Sequence, residues 1–63
     1  MNNHDAVKRM AEAYKLLGLA DTYATNIVVI DSIRMARDII YTVGESKFGK
    51  EFIEEVNLVR SDI

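Results

Sequence analysis

The stretch TNIVVIDSIRMARDIIYTVG, residues 25–44, constrains this chain more than any other part of it. With residues at steps of about 100°, Val28, Val29, Ile33, Met35, Ala36, Ile39, Ile40 and Val43 fill an arc of roughly 160°, interrupted only by Ser32. The opposite side carries Asp31, Arg34, Arg37 and Asp38, with Ile27, Ile30 and Tyr41 mixed among the charges. An arc that wide suits a helix with two neighbours, and the chain has 63 residues in which to supply them.

A strand at Asn26–Ile30 is the competing reading, because four β-branched residues follow Asn26 in a row. Alternation with period two is missing, however, and no second strand candidate is present to pair its backbone groups. Helix is therefore expected, with strand pairing across a dimer as the alternative. The spacing predicts a central helix from Thr22 to Val43, N-capped by Asp21 and about 33 Å long. Whether it runs unbroken through Asn26 is not decided by the pattern.

Two shorter periodic segments flank it. In Asp5–Leu17, Val7, Met10, Ala11, Tyr14 and Leu17 follow helical spacing, with Lys8, Glu12 and Lys15 opposite. In Lys47–Arg60, capped by Ser46, Phe48, Phe52, Val56 and Val59 share a side, while Glu51, Glu54, Glu55 and Asp62 lie on the other with Leu58 among them. Gly18 and Gly44 each follow a periodic segment, where a helix-ending glycine is expected. The fold class that follows is all-α: a single domain over residues 1–63, a three-helix bundle with a long central helix.

Size then limits stability. A domain this short buries only about 60% of the surface its unfolded chain exposes. Small folds usually need a disulfide, a metal or a partner subunit. The chain has no Cys and one His, His4, so neither a disulfide framework nor a zinc cluster is available. The flanking helices span about 20 Å each, against about 33 Å for the central one. Homodimerisation is expected to complete the bundle. The patch assigned to that interface, or to a partner, is Ile27, Ile30, Arg34, Arg37 and Tyr41. A possible second partner surface is Glu51, Glu54, Glu55 and Leu58.

Composition excludes other classes. At 49% hydrophobic and 29% charged residues, the chain is far from a disordered composition. Its longest uncharged run, Thr22–Ile30, is too short to cross a bilayer, which takes about 20 residues. The first ten residues lack the apolar core of a signal peptide. The absence of Cys agrees with the cytoplasm.

No catalytic, cofactor-binding or metal-binding residue is assigned. Asp31 and Asp38 resemble a carboxylate pair, but Arg34 stands between them, as in a solvated ion-pair ladder. Ser32 and Ser46 have no activating His nearby in sequence, and His4 lies near the N-terminus. GESKFGKE lacks the spacing of a phosphate-binding loop. Lys8, Arg9 and Lys15 read as a solubilising face. Arg34, Arg37 and Tyr41 suit phosphate and base contact, but interleaved acids and a net charge of −2 weaken nucleic-acid binding. The expected function is a non-enzymatic protein-interaction module: an adaptor, inhibitor or regulatory subunit. The alternative is a small dimeric DNA-binding regulator.

Overall fold

A computed structural model of the chain describes residues 3–58. They form three helices, α1 (Asn3–Tyr23), α2 (Ile27–Phe48) and α3 (Lys50–Asn57), and no strand. Val59, Arg60 and Asp62, expected to belong to the third helix, lie outside the described residues.

The helix type and number agree with the periodicity; the boundaries do not. α1 passes through Gly18 and ends only at Tyr23. Leu19 and Ala20 favour helix after that glycine, so nothing stops the chain there. The break falls at Ala24, Thr25 and Asn26. Asn26, not Asp21, caps α2: its backbone is extended, and its side-chain oxygen accepts from Val28 N at 2.9 Å and Val29 N at 3.3 Å. The stretch that competed as a strand is the first turn of this helix.

α2 likewise runs through Gly44 to Phe48. The turn expected at Gly44 lies at Gly49, with φ of +59°, a value that favours glycine. The Gly49 N–H donates to the Glu45 carbonyl at 2.9 Å and closes α2. The next residue already begins α3, so the predicted start at Lys47 with a Ser46 cap shifts to Lys50.

All three helices touch one another. α2 is antiparallel to α1, as Arg34 meets Asp21 while Arg37 and Tyr41 meet Tyr14. α3 turns back alongside α1, with His4 against Glu51 at one end and Lys15 Nζ donating to the Leu58 carbonyl at the other. Val7, Ala11 and Phe52 form the fully buried core, flanked by Met10, Ile40, Tyr41, Phe48 and Val56.

The two interior glycines have different uses. A Cβ on Gly44 would lie 2.5 Å from Phe52 Cε1, so the ring rests on bare helix backbone. A Cβ on Gly18 would meet the guanidinium of Arg37, 2.7 Å from Nη2, and would have to displace it. Gly44→Ala is expected to cost about 1–3 kcal/mol by overpacking, more than the up to about 1 kcal/mol that Ala gains over Gly inside a helix. Gly18→Ala, which displaces the Arg37 guanidinium rather than a buried ring, is expected to cost less than Gly44→Ala. Urea denaturation of both variants checks the contrast; equal effects would contradict the packing described for Phe52.

Candidate functional site

The side of α2 that faces its neighbours carries Ile30, Ile33, Arg37, Ile40, Tyr41, Gly44 and Phe48, all buried or half-buried. Tyr41 stands between two rings: 5.4 Å from Tyr14 at a tilt of 48°, and 5.6 Å from Phe52, edge on at 73°. Such pairs contribute about 0.5–1.5 kcal/mol beyond the area they bury. Arg37 is part of the same packing. Its guanidinium carbon lies 3.9 Å from the Tyr14 ring centre, and its Nε donates to the Tyr14 carbonyl at 3.1 Å.

Two expectations are corrected by this arrangement. The wide arc was expected to be covered within the chain, but only Ile33, Ala36 and Ile40 of it are half-buried. α2 is rotated by roughly 100°, about one residue step, from that orientation. The expected interface patch is also divided. Ile30, Arg37 and Tyr41 face the other helices; Arg34 lies exposed with its Nε on Asp21 at 3.3 Å; Ile27 is exposed at the start of α2. The physical reason is the quality of packing available on each side. Only the Gly44 side admits an aromatic ring against the backbone, and the Arg37 stem and guanidinium pack on Tyr14 as an apolar residue would.

That rotation turns the rest of the arc outward. Val28 is 69% exposed, Met35 65%, Ile39 62%, Val29 48% and Val43 44%. With Ser32 they form one stripe along α2. Positions 28, 32, 35, 39 and 42 alternate steps of four and three, the spacing of a helix–helix seam. A shallow depression of about 230 Å³ lies on it between Asp38, Ile39, Thr42 and Val43. This is below the usual range of about 300–1,000 Å³ for a small-molecule pocket. Ser32, the one polar residue in the middle of the stripe, donates its Oγ–H to the Val28 carbonyl at 2.9 Å.

A second apolar face lies on α1, where Leu16, Leu19 and Tyr23 are exposed at helical spacing. On α3, Glu51, Glu54 and Leu58 are exposed and Glu55 is half-buried. Glu51 lies 3.4 Å from His4 Nδ1, an ion pair only when the imidazole is protonated. A depression of about 140 Å³ on α1 is lined by Asp5, Lys8, Arg9 and Glu12. Among the described residues, no three His, Asp or Glu side chains are grouped to hold a metal ion, and no helix is long and apolar enough to cross a membrane. The seam spacing on α2 was available in the sequence. The inward use of an arginine and a glycine had no hydropathy signal. No family model matches the chain, and no curated protein or solved structure matches it significantly.

The two arginines should differ in energetic weight. Arg37→Ala removes a ring contact and a hydrogen bond in a half-buried setting, with an expected cost of about 1–2 kcal/mol. Arg34→Ala removes an exposed pair, with an expected cost below about 1 kcal/mol. Thermal denaturation of the two variants measures the difference; an equal loss would contradict the inward role of Arg37.

Proposed function

We propose that the chain is a small, non-catalytic protein-interaction module, an adaptor, inhibitor or regulatory subunit, whose binding surface is the outer face of α2 and whose bundle is completed by homodimerisation. The observation that carries this reading is the stripe of Val28, Val29, Met35, Ile39 and Val43, exposed beside a core with three buried hydrophobic residues among those described. Monomeric proteins rarely leave so continuous an apolar surface in water. A helix face with seam spacing and shallow relief suits another helix better than a metabolite. The absence of Cys fits a reducing compartment such as the cytoplasm.

The alternative, a DNA-binding regulator, draws on Arg34, Arg37 and Tyr41. Arg37 and Tyr41 are engaged in the core packing, and Arg34 holds Asp21. That leaves no uninterrupted basic strip on α2.

Affinity capture with the tagged chain, analysed for protein and nucleic acid at low and high salt, separates the two readings. Protein is expected at both salt concentrations, and Ile39→Glu is expected to abolish its recovery. Recovery of nucleic acid alone, lost at high salt, would overturn the proposal.

A further inference from the structure

We propose that α3 is an exchangeable element: two copies of this chain open at Gly49, run α2 and α3 together as one helix, and each seats its α3 on the α1–α2 pair of the other. The exchange uses the inward side of α2 and leaves the outer stripe free, so it stands apart from the reading of that stripe. The hinge is the first argument. α2 ends at Phe48 and α3 begins at Lys50, so a single residue makes the whole reversal. Hydrogen bonding on both sides of it is already helical. The Gly49 N–H donates to the Glu45 carbonyl at 2.9 Å, four residues back, and the Gly49 carbonyl accepts from Ile53 N at 3.3 Å, four residues on. Turning this residue from φ of +59° and ψ of −130° to helical angles would direct the Lys50, Glu51 and Phe52 N–H groups at the carbonyls of Ser46, Lys47 and Phe48. No side chain caps the start of α3, so opening breaks no cap there. Short, constrained hinges of this kind favour exchange between copies.

The sequence across the hinge is the second argument. Laid out as one helix, Tyr41, Gly44, Phe48, Phe52 and Val56 fall within an arc of about 120°. A turn that served only to reverse the chain has no need to keep that phase. Gly44 and Phe52 also lie equally far from Phe48 along the chain. Two continuous helices about a two-fold axis beside Phe48 therefore run antiparallel, with Phe52 of each at the height of Gly44 of the other. Within one chain α3 already runs antiparallel to α2, because it is parallel to α1. The exchanged form thus repeats the contacts of the closed one. Phe52 meets Gly44 and Tyr41, and Glu51 meets His4, with one member of each pair supplied by the second copy.

Detachment is the third argument. α3 is the shortest of the three helices and has one buried residue, Phe52. An element held by so little opens ahead of the rest. Once free, it finds the same seat on its own chain or on another. Glycine balances the two forms: it takes the positive φ of the closed hinge, which other residues resist, and it weakens the continuous helix of the open one.

A chain without Cys lets single cysteines report the exchange. His4→Cys chains and Glu51→Cys chains are mixed, heated through unfolding and cooled at millimolar concentration. A short bismaleimide is then expected to give a covalent mixed dimer, and little of it after the same cycle at micromolar concentration. Gly49→Ala is expected to lower the concentration giving half dimer at least about tenfold, since alanine favours the open helix and opposes the closed φ at two hinges. Two glycines inserted after Gly49 lengthen the turn and should suppress the mixed product. Ile39→Glu in both chains should leave it in place, which separates exchange from association through the outer stripe. Absence of the mixed product at millimolar concentration would overturn the inference. So would a Gly49→Ala protein with no gain in dimer, an insertion variant that exchanges as readily as its parent, or a link lost with Ile39→Glu.

Discussion

The Phe52 ring resting on the bare backbone of Gly44 is the contact on which the rest of the molecule depends. It brings α3 onto α2 closely enough for Phe52 to be fully buried with Val7 and Ala11. From that ring a row of contacts crosses the bundle: Phe52 on Tyr41, Tyr41 on Tyr14, and Tyr14 under Arg37. Each is modest, but together they select one rotation of α2 about its own axis. With so few fully buried residues, a small number of well-fitted contacts outweighs the larger total of loosely placed aliphatic side chains.

The outer stripe is the other side of that choice. α2 has apolar residues around more of its circumference than two neighbours can cover. α3, with eight residues, is only about 12 Å long and reaches part of α2. Once the aromatic side turns inward, Val28, Met35 and Ile39 are left in water. The exposed apolar stripe is therefore tied to the core, since the glycine that admits Phe52 also determines which residues are presented outside.

Helix type and number could be read directly from the sequence, because a period near 3.6 over long segments survives any detail of packing. Boundaries were less legible. Gly18 and Gly44 looked like helix ends, but each has its use in what it lets approach, which depends on a residue distant in sequence or on another helix. Asn26 carried a readable capping signal, yet Asp21 carried the same one; Asp21 faces Arg34 instead. The inward face of α2 was hidden for a chemical reason. Hydropathy counts Arg37 as polar and Gly44 as nearly neutral, whereas one stacks on a tyrosine and the other seats a phenylalanine. The same arithmetic placed Tyr41 and Ile30 outside. The seam spacing of the outer stripe was legible, but the pattern alone could not say that it lay outside.

The hinge at Gly49 has a consequence for the order in which the structure assembles. Gly44 and Phe52 are near neighbours in sequence, so the α2–α3 corner closes through a short loop, an event on the order of 10–100 ns for such lengths. Val7 and Ala11 are not fully covered until that corner brings Phe52 onto them. α1 can lie on α2, with Tyr14 against Arg37 and Tyr41, before α3 has joined them, but its core side closes only with Phe52.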